Sequence, residues 1–312
     1  MYLQTNFNFK KMNKCKFLAM AAIAATVTMT SCSNDDEAVN NSDRVEVKFS
    51  TGNIANVQTR AYDQTWENGD SIGIYMVKET PGTLAAENIL ENAANIRYDP
   101  AAGGTGAVAF NAHSTTTTIY YPVSGNVKFI AYYPYRASLT DYKLPINLSN
   151  QSNQSAIDVL YAPAGTAYSK TSPNAALTFE HKLVKLVFNI SNGLGVTSSL
   201  TNLTVAIGNQ QTTGELNLVD GVIIPSAAGT TAINALVSNG GATAEAIVLP
   251  GTHNGTFTFT NAAGEAFTAT IPDATFERGK KYTYTVTLTK ATAVITGSIA
   301  AWNTGGGSVT AQ

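Results

Sequence analysis

Cysteine is almost missing from this chain: its 312 residues hold two, Cys15 and Cys32, and none follows Cys32. A disulfide framework is therefore excluded downstream, and so is a thiol nucleophile in the folded part. Histidine is nearly as scarce. His113, His181 and His253 are scattered without a metal-ligand spacing such as His-Glu-x-x-His, and no Gly-x-Ser-x-Gly occurs. Only 13% of the residues are charged, with no basic cluster, which argues against nucleic acid as a partner. Long apolar runs are absent too; beyond the N-terminal stretch no segment approaches the roughly 18 uncharged apolar residues that a membrane helix needs. Gly103-Gly104-Thr105-Gly106 and Gly305-Gly306-Gly307 do not lie between a strand and a helix, so they read as flexible loops rather than phosphate cradles. No enzyme, cofactor or metal is expected from this inventory.

What is present begins at the N-terminus. Lys10, Lys11, Lys14 and Lys16 form a basic flank, Phe17 to Val27 is a short apolar stretch, and Met29-Thr30-Ser31 leads into Cys32. This order resembles a bacterial lipoprotein signal over residues 1–31, in which the Cys32 thiol is acylated and Cys32 becomes the new N-terminus. A plain secretory peptide with an incidental cysteine is the alternative. Asp35, Asp36 and Glu37 resemble the signal that sends some bacterial lipoproteins to the outer face of the cell; the ordinary reading of the same acidic run is a solvated tether. Two starts, Met1 and Met12, leave the same mature chain. Removing the four lysines leaves 15 Lys and Arg against 21 Asp and Glu, a net charge of −6. Residues 32–44 are polar and aperiodic, as a disordered tether would be.

Beyond the tether, strand signals follow one another. Val45-Glu46-Val47-Lys48-Phe49 alternates apolar and polar residues, and Ser71–Val77, Thr117–Val123, Val127–Tyr133, Leu183–Ile190, Leu203–Ile207, Ile247–Leu249, Thr256–Thr260, Phe267–Ile271, Tyr282–Leu288 and Val294–Ala300 continue the series. Only Leu84–Ala94 reads as a short helix. The apolar run Ile72–Met76 implies a strand buried on both faces. The chain is therefore read as all-β, with two tandem β-sandwich domains over residues 45–172 and 173–312, divided in the Pro- and Gly-bearing stretch Tyr161–Asn174. Tyr120, Tyr121, Tyr132, Tyr133 and Tyr135 fall on two strands taken as neighbours, ended by Pro122 and Pro134; they are sheet stabilisers or, alternatively, a stacking platform for sugars. His181 is expected at a surface or capped position where a loop enters a strand.

Several motifs together carry a family resemblance. Trp66-Glu67-Asn68-Gly69-Asp70-Ser71-Ile72-Gly73-Ile74-Tyr75-Met76, Ile119-Tyr120-Tyr121-Pro122, Phe129-Ile130-Ala131-Tyr132-Tyr133-Pro134-Tyr135 and Asp158-Val159-Leu160-Tyr161-Ala162 resemble the first half of a fimbrillin. The run Leu177 to Ile190, then Ile247-Val248-Leu249-Pro250, Phe276-Glu277-Arg278-Gly279-Lys280-Lys281-Tyr282-Thr283-Tyr284 and Ile299-Ala300-Ala301-Trp302 resemble the second. The resemblance implies a structural, tip or anchor subunit of a fimbria. It further implies two transthyretin-like sandwiches, an outer-membrane lipoprotein exposed at the surface, and maturation by an arginine-directed protease. For that cut Arg60, in Gln58-Thr59-Arg60-Ala61, is the first candidate and Arg44 the second.

If the cut frees the first strand, the open groove needs a replacement. The terminal segment offers one, with Ile295, Gly297, Ile299 and Ala301 alternating along one face. Expected partners are other fimbrial subunits, the membrane through the lipid, and a host protein or glycan for adhesion. A monomeric surface lipoprotein that binds glycans or host proteins is the competing expectation, and a hydrolase or inhibitor on the same scaffold is a third.

Overall fold

Side-chain alternation accounts for most of the secondary structure, and its few failures are local. The computed structural model describes residues 44–51, 65–104, 107–270, 275–290 and 293–302. In chain order the first half supplies β1 (Lys48–Thr51), β2 (Ile72–Lys78), β3 (Ile96–Pro100), β4 (Ala109–Ala112), β5 (Val127–Tyr133), β6 (Lys143–Asn147), β7 (Leu160–Ala162), β8 (Asn174–Leu177) and β9 (Glu180–His181). The second half supplies β10 (Val184–Asn192), β11 (Thr204–Gln210), β12 (Thr213–Asn217), β13 (Val222–Pro225), β14 (Thr231–Asn234), β15 (Leu236–Ser238), β16 (Thr243–Val248), β17 (Gly251–Thr252), β18 (Thr256–Thr260), β19 (Ala266–Thr270), β20 (Thr275–Phe276), β21 (Lys280–Leu288) and β22 (Ala293–Ala301). Helical geometry among the described residues is confined to three-residue 3-10 turns, so the all-β expectation holds.

The strands form an eight-stranded sheet in the order β8-β1-β4-β3-β2-β5-β7-β9, a five-stranded sheet β15-β16-β10-β21-β22, a four-stranded sheet β14-β11-β18-β19, a three-stranded sheet β13-β12-β6 and the pair β17-β20. Two hydrophobic cores result. Val47, Phe49, Trp66, Phe110, Phe129 and Phe179 belong to the first. The second lies largely between the five- and four-stranded sheets, where Phe188 of β10 meets Phe257 of β18 edge to face at 4.8 Å.

Strand β2 joins both cores, because successive side chains leave a strand on opposite faces. Ile72, Ile74 and Met76 enter the first core, while Tyr75 and Val77 enter the second. Strand β5 does the same with Phe129 and Tyr133 on one side and Ile130 and Tyr132 on the other. Their continuous apolar runs are thus the signature of burial on two faces. Further links bind the chain's two halves. β6 pairs antiparallel with β12, from Thr213↔Asn147 to Asn217↔Lys143. The buried Gln151 amide substitutes for a strand: its Nε2 donates to the Ile247 carbonyl at 3.0 Å and its Oε1 accepts the Ile247 N–H at 2.8 Å. Unpaired, those buried backbone groups would each cost about 1–3 kcal/mol.

Two expectations are corrected. Leu84–Ala94 is not a helix beyond the single turn Ala86–Asn88, since Glu91 and Asn92 take φ of 49° and 55°, and the segment hydrogen-bonds along β2 through Leu90 N–H to Met76 O and Met76 N–H to Ala93 O. Thr117–Val123 is not a neighbour of β5. Its first residue, Thr117, ends a 3-10 turn over Thr115–Thr117 capped by the Ser114 hydroxyl, and Ile119 and Tyr121 bond the backbone of Val47 and Val45 instead. Strand β5 is flanked by β2 and β7, so the tyrosines do not form one platform.

Close packing fixes one glycine. A Cβ on Gly73 would lie 2.2 Å from Cε1 of Tyr132, the residue directly opposite it, and 2.8 Å from Oδ1 of Asn95. Gly73→Ala is therefore expected to cost about 1–3 kcal/mol through overpacking, read as a lower urea midpoint with unchanged slope.

Candidate functional site at the terminal strands

The first strand has a partner on each side. β1 runs antiparallel to β4, with Phe49 opposite Phe110, and parallel to β8, with Lys48 opposite Asn174 and Thr51 opposite Leu177. Bonds outside the ladders complete the seat: Val47 N–H donates to Ile119 O at 3.0 Å, Tyr121 N–H to Val45 O at 2.9 Å, and Thr51 exchanges backbone and hydroxyl bonds with Val108 at 2.8–2.9 Å. The ladder begins three residues later than the sequence implied, at Lys48, because Val45 to Val47 pair with the 119–121 segment. Val47 and Phe49 are 1% and 2% exposed. Phe49 meets Tyr98 and Phe129 edge to face at 4.9 and 4.8 Å. Burying those two side chains contributes about 3–6 kcal/mol in all. The insertion is thus complete in hydrogen bonds but shallow in apolar area.

Arg44, the second maturation candidate, precedes this strand. Its guanidinium lies over the Tyr120 ring at 4.3 Å and 3.9 Å from Glu91, with its side chain 38% exposed. Arg60, Cys32, Asp35, Asp36 and Glu37 lie outside the described residues.

At the other end β22 is an edge strand. Among the described residues it pairs only with β21, from Lys280↔Ala301 to Leu288↔Ala293. Ile295 is half-buried against the second core, and a Cβ on Gly297 would stand 3.0 Å from the Tyr284 ring. Ile299 is 36% exposed and Val294, on the opposite face, 53%. The four expected donor residues therefore share one face, as the alternation implied, and at Ile295 that face packs on the chain's own second core.

Trp302 pins the strand's end, and sequence reasoning missed how. Its backbone N–H donates to Gly279 O at 2.8 Å, and its ring stacks on His181 at 4.0 Å and 9°. His181 is neither at the surface nor in a cap. Its Nδ1 lies 2.9 Å from Asp158 Oδ2, with both side chains at most 1% exposed. No spacing could have signalled this cluster, since its members are dispersed along the sequence. With Asp158, His181 and Trp302 all buried, the geometry suits bracing of the strand's end. Among the described residues no group of three His, Cys, Asp or Glu side chains could hold a metal, and no helix is long and apolar enough to cross a membrane. Trp302→Ala should cost about 3–5 kcal/mol and raise hydrogen–deuterium exchange along β22 before the rest of its sheet.

The fimbrillin-like family matches residues 59–302. A relative from Bacteroides uniformis, named "Putative fimbrium subunit Fim1C", is 35% identical over 303 residues, covering 92% of this chain and 95% of that protein. Among solved structures, one described as a "putative cell adhesion protein" of Bacteroides uniformis superposes with a TM-score of 0.71 at 33% identity, covering 84% of this chain and 98% of the other. A second, from Bacteroides ovatus and described in the same words, has a TM-score of 0.62 at 20% identity, covering 84% and 98%, and speaks to fold alone. With the family matching most of its length and a relative 35% identical along nearly all of it, the chain belongs to the fimbrillin-like family, as the sequence resemblance implied.

Proposed function

We propose that this protein is a surface-anchored fimbrial subunit that assembles by strand exchange and supports adhesion. The observation that carries the reading is the seat of β1: a short strand inserted between β4 and β8, bonded on both edges, and held in apolar contact by the buried side chains of Phe49 and, just before the strand, Val47. A cut at Arg60 leaves that strand attached by non-covalent contacts alone. Its departure opens an apolar groove lined by Phe110, Phe129 and Leu177, with unpaired backbone groups on both sides. A strand from another subunit satisfies both demands, drawing affinity from main-chain bonds and register from alternate side chains.

The donor we assign is β22, through Ile295, Gly297, Ile299 and Ala301, supported by its edge position and half-exposed face. Such a contact is head-to-tail and does not close, so it extends into a filament. A chain that accepts a strand and keeps its own β22 paired to β21 would instead occupy the end of one. We place two domains in the chain, residues 45–172 and 173–312, each centred on one of the two cores. Acylated Cys32, followed by Asp35, Asp36 and Glu37, places the mature protein on the outer membrane facing outward, with a tether over residues 32–44. Nucleic acid, cofactors and catalysis have no part in the reading.

Three outcomes test it. Cys32→Ala is expected to leave the membrane fraction or fail in export; unchanged membrane association contradicts the anchor. Protein trimmed at Arg60 should run as ladders on unheated gels, and Arg60→Ala should abolish them. Ile299→Asp should weaken the ladders by placing a charge in the groove, and ladders that persist in both variants overturn strand exchange.

A further inference from the structure

We infer that the cleft between the turn Glu67–Ser71 and the segment Tyr133–Arg136 binds a neutral saccharide. It is an open cavity of about 450 Å³ at the ends of β2 and β5, within the roughly 300–1,000 Å³ of small-ligand sites. The assignment goes beyond assembly, because the cleft lies away from β1 and β22 in the sequence and uses none of their residues.

Its framework is braced from within. Asp70, 8% exposed, accepts the Glu67 N–H at 2.7 Å and the Tyr133 hydroxyl at 2.8 Å, so both its oxygens are engaged and it holds the cleft's two walls together. Burial raises its carboxyl above the ordinary range, against the lowering effect of those two bonds, and this suits a brace rather than a ligand contact.

The groups presented to the cavity differ from the brace. Arg97 donates through Nε to Asp99 at 2.9 Å, and Asp99 is itself fixed by the Ser71 hydroxyl at 2.7 Å and by His113 at 2.6 Å. Partial burial alone would raise the Asp99 carboxyl, but the bonds from His113, Ser71 and Arg97 outweigh it and hold the group below its usual range. The guanidinium is thus anchored by one edge, lies 5.8 Å over Tyr135, and keeps its terminal nitrogens without a hydrogen-bond acceptor among the described residues. Arg136, exposed, spends one nitrogen on the Tyr135 carbonyl at 3.2 Å. Asn153 gives its Oδ1 to Ser155 and Ala156, which leaves its amide hydrogens to donate. Exposed Glu67 supplies an acceptor, and Tyr135 with Pro134 an apolar wall.

Planar groups that donate or accept in pairs match the adjacent hydroxyls of a pyranose, and the apolar wall matches its C–H face. Charge decides the class. Arg97 and Arg136 are offset by Asp99, Asp70 and Glu67, so the cleft has no excess of positive charge to attract an acidic ligand.

Isothermal titration of the uncleaved, monomeric full chain with methyl glycosides of glucose, galactose, mannose and N-acetylglucosamine, alongside glucuronic and sialic acid, tests the assignment. Binding of at least one neutral glycoside is expected, weakened tenfold or more in both Arg136→Ala and Glu67→Gln. Both positions are exposed, so equal melting temperatures will show that folding is intact. Absence of binding to every neutral glycoside, equal affinity in the variants, or preference for the acidic sugars would overturn it. Because the probe is an uncut monomer, any of these failures leaves strand exchange standing.

Discussion

The first sheet depends on how β1 meets its two neighbours. Without disulfides, nothing covalent locks the N-terminal segment to the fold, so its retention depends on two full edges of backbone hydrogen bonds and on the burial of Val47 and Phe49. Removing it would leave buried N–H and C=O groups on β4 and β8 without partners, at about 1–3 kcal/mol each. That penalty is what makes a vacated groove demand another strand. The same sheet is meanwhile fixed from its middle, where β2 and β5 contribute side chains to both cores and cannot leave without dissolving each. Loss of β1 is thus a local event in a sheet held elsewhere by two-sided burial.

Where the sequence was readable, the reason is physical. Ile72 to Val77 and Val127 to Tyr133 are nearly continuous apolar runs because both faces are covered, and Thr256 to Thr260 alternates because one face is. The long β10 and β21, which pair in parallel at the centre of their sheet, were legible for the same reason. Strands β3, β12 and β13 were not. Ile96–Pro100 carries one fully buried residue, Thr213–Asn217 gains its order from β6, and Val222–Pro225 is an exposed edge whose Val222 and Ile224 are 47% and 45% accessible. Their conformation comes from partners remote in sequence, which no local pattern encodes.

The candidate sites divide in the same way. The alternation of Ile295, Gly297, Ile299 and Ala301 was visible because it is local. The Asp158–His181–Trp302 cluster and the cleft beside Asp70 were not, since each gathers residues from segments tens of positions apart. The tyrosines show both outcomes. Tyr132 and Tyr133 were placed correctly on one strand, but Tyr120 and Tyr121 follow Ile119 onto the backbone of residues 45–47, drawn there by the same segment whose release the assembly reading requires.

Hydrogen–deuterium exchange of intact and Arg60-cleaved protein tests that requirement most directly. The account predicts that amides of β4 and β8 facing β1 are slow in the intact chain, become fast once the cleaved segment dissociates, and are slow again in assembled material. Equal protection of β4 and β8 in the intact and cleaved proteins, with the N-terminal segment still bound after assembly, would contradict it.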